Sequence, residues 1–338
     1  DLQLDFEVVE SSSSRTGLPR FVVTVIGVQL SAAALGDVTG AIAHGGGNID
    51  RIEQLARFPV MSYEFVVVDG SIDRMREALL EVSARHGIDV AIQRWSLERR
   101  AKRLIVMDVD STLIQDEVIE LLAEEAGHAD EVAEVTERAM RGELDFEASL
   151  LERVSKLAGT SVEALDRARN RVRLTPGART FVRTLRRLGF TVALVSGGFT
   201  DVVQPIATGL GITRAVANRL EVADGVLTGR IEGPVIDRAG KARVLAEIAA
   251  EEGIPLEQTV AIGDGANDLD MLAVAGLGIA FNAKPVVREQ ADTAVSVPYL
   301  DAILFLLGLR RDEIEEADAS DPDGPLRGSS VEPEASLP

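Results

Sequence analysis

The sequence predicts an α/β protein with two folded parts. The first is a βαββαβ ferredoxin-like domain, and the second is a doubly wound parallel (Rossmann-like) sheet with a helical insertion. Three observations support this prediction. Apolar strands alternate with helices over most of the 338 residues, which is typical of a parallel sheet covered on both faces. An early segment has two strands in succession, and a purely helical stretch follows the first strand of the second part.

The ferredoxin-like domain is predicted over residues 20–95. Gly45–Gly47 and Asp69-Gly70 break the pattern between its elements. The βαββαβ order is the ferredoxin-like plan. The predicted elements are, in order, strand Phe21–Gly27, helix Ala32–His44, strands Asn48–Arg57 and Ser62–Val68, helix Ile72–His86 and strand Asp89–Gln93.

The second domain is predicted over residues 100–311. Its helical insertion covers about 115–174, and alternation on both sides of Asp224-Gly225 predicts a β-hairpin. The predicted strands of the sheet are short, apolar and rich in β-branched residues: Arg103–Val109, Thr191–Val195, Thr259–Gly263, Gly278–Phe281 and Thr293–Val297.

Both ends of the chain are predicted to lie outside these domains. Residues 1–10 alternate between apolar and polar, which predicts a remnant strand of a preceding module, and 11–19 form a serine-rich linker. Residues 312–338 contain nine acidic residues, one basic residue and four prolines. That composition predicts a disordered acidic tail.

The composition and net charge of the chain narrow the classes of function that it can have. The net charge of −20 argues against nucleic acid or an anionic membrane as a partner. The sequence has no cysteine, which excludes disulfides, thiolate catalysis and cysteine zinc sites and suits a reducing cytoplasm, the expected location. The most apolar run, Ala302–Leu309, is too short to span a membrane.

Two polar motifs follow strands of the predicted sheet, where ligands of such sheets bind. Asp108 and Asp110 lie in the segment DVDST. Two carboxylates this close repel each other, a cost usually tolerated where a cation or a reaction needs them. Ser196 precedes Gly197 and Gly198, and glycines allow backbone N–H groups to approach a phosphate. Either motif alone is also compatible with an ordinary turn.

Two further motifs lie nearer the C-terminus. Lys241 opens a predicted helix after Ala239-Gly240, and Gly263–Asp268 (GDGAND) follows a strand. Carboxylates and an amide on a tight glycine turn are suited to Mg²⁺, which prefers oxygen ligands. A lone lysine is usually an exposed, solvated residue, so a functional interpretation of Lys241 depends on the other motifs.

The four motifs, in this order, resemble those of the haloacid dehalogenase superfamily. Asp108–Thr112 and Gly263–Asp268 are similar to the motifs of its phosphoserine phosphatases, and the insertion resembles their cap. The first domain resembles an ACT domain. The resemblance implies an enzyme that hydrolyses O-phosphoserine to serine and phosphate, the last step of serine biosynthesis.

The resemblance also implies roles for the motif residues. Asp108 is the nucleophile that forms an aspartyl-phosphate, and Asp110 is the general acid and base. Lys241 and Ser196 neutralise the phosphate oxygens, which Gly197 also contacts. Mg²⁺ is the implied cofactor. Its implied protein ligands are Asp108, Asp110 with the Val109 carbonyl as a further ligand, and Asp264.

Substrate choice is assigned to the cap by the same resemblance. Glu117 is expected to face the substrate ammonium, and Arg153 its carboxylate through two parallel hydrogen bonds. Asn267 is expected to contact the phosphate. Exposed helix salt bridges remain the alternative for Glu117 and Arg153.

Two other functions remain open at this level. One is a phosphatase of the same superfamily acting on another small phosphomonoester or on a phosphoprotein. The other is an amino-acid sensor, in which the ACT-like domain is the working part. The ACT-like domain is expected to form a homodimer and to bind serine or another amino acid at the loop Val28–Leu35, near Asn48. A pure dimerisation domain is the alternative.

Overall fold

The computed structural model describes residues 17–321. The predicted remnant strand, most of the linker and the end of the predicted tail lie outside these residues. Within 17–321, no helix is long and apolar enough to cross a membrane.

The first domain has the predicted order of elements. Its four antiparallel strands lie in the order β2-β3-β1-β4, and the side chains of Ser31 and Ser71 cap its two helices. One face of the sheet packs against these helices around Phe21, Val38 and Leu79. The elements are β1 (Arg20–Gly27), α1 (Ala32–His44), β2 (Asn48–Ala56), β3 (Met61–Val68), α2 (Ile72–His86) and β4 (Asp89–Arg94).

The second domain is built on a seven-stranded sheet with the order β11-β10-β9-β5-β6-β7-β8. All neighbouring strands are parallel except β7 and β8. The strands are β5 (Leu104–Met107), β6 (Thr191–Phe199), β7 (Arg214–Ala223), β8 (Val226–Glu232), β9 (Thr259–Gly263), β10 (Gly278–Phe281) and β11 (Thr293–Val295). The helices are α3 (Leu97–Arg100), α4 (Val118–Ala126), α5 (Ala129–Met140), α6 (Phe146–Ser155), α7 (Glu163–Arg171), α8 (Ala178–Arg187), α9 (Thr200–Leu210), α10 (Arg238–Glu251), α11 (Leu269–Val274), α12 (Pro285–Gln290), α13 (Ile303–Leu306) and α14 (Arg311–Ser320).

The predicted hairpin connects β7 and β8. Asp224 and Gly225 both have positive φ, 53° and 77°, as a tight two-residue hairpin turn requires. The cap consists of α4–α7, and its C-terminal part is attached to β8. The amides of Gly159 and Leu227 donate to the carbonyls of Leu227 and Thr160, both at 2.8 Å. The hairpin therefore supports the cap.

The prediction of a disordered tail is wrong for the first residues of that segment, because they form helix α14. Ile314 is 3% exposed and packs into the core of the second domain. One acidic residue of α14 has cationic partners on α8, because Asp318 pairs with Arg183 and Arg187. Composition indicated disorder, but one buried isoleucine and these ion pairs hold the segment on the domain.

Candidate active site

Asp108 lies where β5 ends, and it is 3% exposed. Its Oδ1 accepts the N–H of Val109 at 2.7 Å. The chain then forms a wide turn, Val109–Leu113, in which Ser111 has a positive φ of 54°. The Val109 carbonyl accepts the N–H of Ile114 at 3.0 Å, so one lone pair of this predicted metal ligand is already used within the turn.

Asp110 is held by two donors. The N–H of Val118 donates to its Oδ1 at 2.7 Å, and the Ser196 hydroxyl donates to its Oδ2 at 3.1 Å. Burial raises the pKa of Asp110 above the ordinary value, although these hydrogen bonds oppose the shift. A carboxyl group whose pKa is raised is suited to donate a proton.

The predicted strand end at Val195 is not observed, because β6 continues to Phe199 with an irregular register, and this last part of the strand brings backbone groups to the same place. The Gly198 N–H donates to the Ser196 hydroxyl at 2.7 Å. A Cβ atom on Gly198 would lie 2.8 Å from Asp110 Oδ2, so glycine is required there. Asn218 is 2% exposed and holds this segment, because its Nδ2 donates to the Gly197 carbonyl at 2.8 Å. Asn218 belongs to none of the four sequence motifs, so the sequence did not identify it.

Lys241 lies in the first turn of α10, a helix that begins at Arg238 and is capped by the Asp237 side chain. It is fully buried. Its Nζ lies 2.8 Å from Asp108 Oδ2 and 2.7 Å from Asp268 Oδ1. Burial disfavours the charge of Lys241, but the two carboxylates outweigh this effect and raise its pKa.

Three carboxylates converge beside Lys241. Asp108, Asp264 and Asp268 each offer an oxygen, and these oxygens lie within 4.8 Å of one another. The sequence predicts Asp110 in the metal site, whereas the carboxylate oxygens that converge in the structure belong to Asp108, Asp264 and Asp268. Both carboxylate oxygens of Asp110 accept hydrogen bonds, one from Val118 and one from Ser196.

The pKa values of this cluster indicate crowded negative charge. Burial and then repulsion from Asp268 raise the pKa of Asp264 to about 6. Burial and the same repulsion raise the pKa of Asp108, which Lys241 opposes. A divalent cation would relieve this repulsion, and carboxylate oxygens are its preferred ligands. The residues therefore fit a hard metal ion.

The cluster opens into a cavity of about 520 Å³ between the sheet and the cap. The cavity is lined by Glu117, Arg153 and Asn267, as the sequence predicted, and by Phe146 and Lys284, which it did not single out. Glu117 faces the solvent of the cavity and accepts a hydrogen bond from Ser111 at 2.7 Å. The surrounding protein still limits its hydration and, with the charge of Asp110, raises its pKa to about 7.

Arg153 is half-buried at this cavity. Its Nε donates to the Ser149 carbonyl at 3.3 Å, and it forms no ion pair with any other residue of 17–321. Desolvation lowers its pKa, while the charges of Glu117, Glu120 and Asp110 oppose the shift. Its guanidinium is therefore available for an anionic group in the cavity.

Comparison with known proteins agrees with this geometry. A family model described as haloacid dehalogenase-like hydrolase matches residues 105–273, and an ACT-domain model matches residues 20–93. The chain belongs to the haloacid dehalogenase-like hydrolases. It is 56% identical to the phosphoserine phosphatase of Streptomyces coelicolor over 319 residues, which cover 94% of this chain and 78% of the relative.

Two solved structures are also similar. A probable phosphoserine phosphatase from Vibrio cholerae superposes with a TM-score of 0.67 at 35% identity and covers 89% of each chain. A phospho-aspartyl intermediate analogue of a phosphoserine phosphatase has a TM-score of 0.57 at 47% identity. It covers 60% of this chain and 98% of its own.

Proposed function

We propose that this hydrolase converts O-phosphoserine and water to serine and phosphate. One observation carries the proposal. A single cavity contains a buried carboxylate paired with a buried lysine, a second carboxylate with a raised pKa, and an unpaired arginine beside a glutamate. These groups match the phosphate, the leaving oxygen, the carboxylate and the ammonium of phosphoserine.

The proposed reaction has two steps. An oxygen of Asp108 bonds to phosphorus as the bond from phosphorus to the serine oxygen breaks, and Asp110 gives its proton to the leaving serine oxygen. Asp110 then takes a proton from water, which attacks the aspartyl-phosphate and releases phosphate and Asp108. Lys241, the Ser196 hydroxyl and Gly197 would stabilise the phosphate oxygens.

We propose Mg²⁺ as the cofactor. Asp108 and Asp264 would hold it, and Asp268 lies close enough to join them. Asp268 already accepts hydrogen bonds from Lys241 and from the Gly265 N–H at 3.0 Å, which favours a role in fixing Lys241. When bound, the ion would offset the repulsion between the nucleophile and the phosphate dianion.

The substrate contacts are proposed from the charges of the side chains that line the cavity. Arg153 and Lys284 both line the cavity without an ion pair to residues 17–321, and the planar guanidinium of Arg153 suits a carboxylate bound by two parallel hydrogen bonds. Glu117 suits the ammonium, with Asn267 at the phosphate end. Serine biosynthesis would be the setting of this reaction, and the cytoplasmic location stays a prediction.

The test compares hydrolysis of phosphoserine, phosphothreonine, phosphoethanolamine, a sugar phosphate and a phosphopeptide, with and without Mg²⁺. Asp108→Asn should abolish turnover while preserving the thermal unfolding midpoint, because the amide keeps the shape and loses the nucleophilic charge. Acid quench of the wild type with labelled substrate should leave phosphate on Asp108. Label on another residue, or preference for the phosphopeptide, would refute the proposal.

A further inference from the structure

A second cavity lies between the two domains, on the other side of α12 from the active site. Its volume is about 470 Å³, within the range of small-molecule sites. The first domain contributes α2 and β4 to its wall, and the second contributes α12 and β11. No residue that we assign to catalysis lines it.

One wall of this interdomain cavity is aliphatic. Leu79 and Ile92 are buried beneath it, whereas Leu80 is 59% exposed. A leucine this exposed at a concave site offers apolar surface that an aliphatic group would cover.

The charged side chains that line the cavity differ in whether they have hydrogen-bond partners within residues 17–321. Asp89 accepts the Ser296 N–H at 2.6 Å, and Asp292 accepts the Gly278 N–H at 2.8 Å. The Arg288 side chain, in contrast, is exposed to solvent and forms no hydrogen bond or ion pair with residues 17–321. Its charge opposes the burial that raises the pKa of Asp89, but the two side chains form no ion pair.

A buried hydroxyl also lacks a partner. Thr293 is 6% exposed and lines the cavity, and its Oγ1 makes no hydrogen bond within the described part of the chain. A buried polar group of this kind is normally paired, with protein, water or a ligand.

We propose that the interdomain cavity binds a small organic carboxylate with a branched aliphatic body. The carboxylate would pair with Arg288, with Thr293 as a further hydrogen-bond partner, and the aliphatic body would cover the exposed side chain of Leu80. Guanidinium groups bind carboxylates through charge-assisted hydrogen bonds.

Helix α12 gives this site a route to the active site. Pro285, Arg288 and Glu289 line the interdomain cavity, whereas Lys284, Val286 and Val287 line the active-site cavity. A ligand that draws Arg288 into the interdomain cavity therefore acts on the segment that bounds the substrate. Binding there changes the KM for the phosphomonoester, and substrate changes the affinity for the ligand by the same coupling.

The test is isothermal titration calorimetry on the full chain, which does not depend on turnover or on the identity of the substrate. L-Leucine and 4-methylpentanoate are the probes, and their comparison reports whether an ammonium group contributes. 3-Methylbutylamine, which lacks the carboxylate, should not bind. Saturating inorganic phosphate, added to fill the active site, should leave the leucine stoichiometry unchanged. No binding of either acid, or competition with phosphate, would overturn the proposal.

Single substitutions test whether the ligand binds in the interdomain cavity. Arg288→Gln should weaken binding about ten- to a hundredfold, and Thr293→Val about two- to tenfold. Arg179→Gln is the matched control, because Arg179 is exposed on α8 and lines neither cavity. Equal affinity of wild type and Arg288→Gln would overturn the site. An unchanged KM with leucine bound would overturn the coupling through α12.

Discussion

At the scale of single residues, the active site depends on how each carboxylate is engaged. Asp108 faces a buried lysine, whereas Asp110 accepts hydrogen bonds from Val118 and Ser196. Two aspartates separated by one residue thus have different environments, which is how one loop can supply both a nucleophile and a proton donor. Asn218 acts on this pair indirectly, because it positions the Gly197 carbonyl.

Asp110→Asn should slow phosphoserine hydrolysis much more than p-nitrophenyl phosphate hydrolysis. The serine alkoxide needs a proton as it leaves, and p-nitrophenolate does not. Steady-state kcat on both substrates measures the difference. Asp201→Asn, an exposed aspartate on α9, should leave both rates unchanged. Equal losses on the two substrates would remove Asp110 from the role of general acid.

Arg153→Ala should reduce kcat/KM for phosphoserine about ten- to a hundredfold more than for phosphoethanolamine, because only phosphoserine has a carboxylate to pair with the guanidinium. Arg167→Ala is the control, since Arg167 is an exposed cap arginine paired with Glu125 at 2.9 Å. A uniform loss on both substrates would assign Arg153 a structural role.

At the scale of elements, α14 shows how packing overrides composition. Its charges indicate a solvated segment, yet Ile314 is buried and Asp318 pairs with two arginines of α8. The hairpin β7–β8 shows the opposite case, because its turn residues predicted it directly and the structure confirms it. Local turn chemistry is encoded in adjacent residues, whereas the docking of a helix depends on a surface far away in the chain.

Ile314→Ala should lower the free energy of unfolding by about 2–5 kcal/mol, the usual cost of removing a buried isoleucine side chain. Urea denaturation measures this change. Glu315→Ala, at an exposed position of the same helix, should change the free energy by no more than about 0.5 kcal/mol. Two equal, small effects would show that α14 does not contribute to the folded core in solution.

At the scale of the whole molecule, the two domains contact each other through an ion pair and hydrogen bonds. Arg99 and Glu64 form an ion pair at 2.6 Å in which both side chains are 4% exposed. Gln93 donates to the Leu306 carbonyl at 3.1 Å, and Asp89 accepts the Ser296 N–H. The ACT domain is therefore in direct contact with the phosphatase domain.

We expect the chain to form a homodimer and free serine to inhibit it with a noncompetitive component. The reason is that a product bound at the Val28–Leu35 loop of the ACT domain would act outside the active site. Sedimentation equilibrium tests the dimer. Inhibition kinetics of the full chain, compared with a chain truncated before Arg100, test the site. Purely competitive inhibition, equal in both chains, would place serine in the active site alone.

The sequence by itself determined the order of the elements and most of the site. Asp108 and Asp264 follow strands β5 and β9, Ser196 lies in the C-terminal half of β6, and the carboxyl ends of parallel strands meet at one edge of a sheet, so these residues had to converge. Strand and helix periodicities are local properties, which is why they could be recognised without the fold.

Tertiary structure alone decided which distant groups meet. It paired Lys241 with Asp268 and grouped Asp268 with the two other carboxylates, directed Asp110 to Ser196, and brought Asn218 to the Gly197 carbonyl. It also docked α14 and enclosed the interdomain cavity beside α12. These outcomes depend on the direction of each side chain and on packing between elements far apart in the chain, which no local pattern of residues specifies.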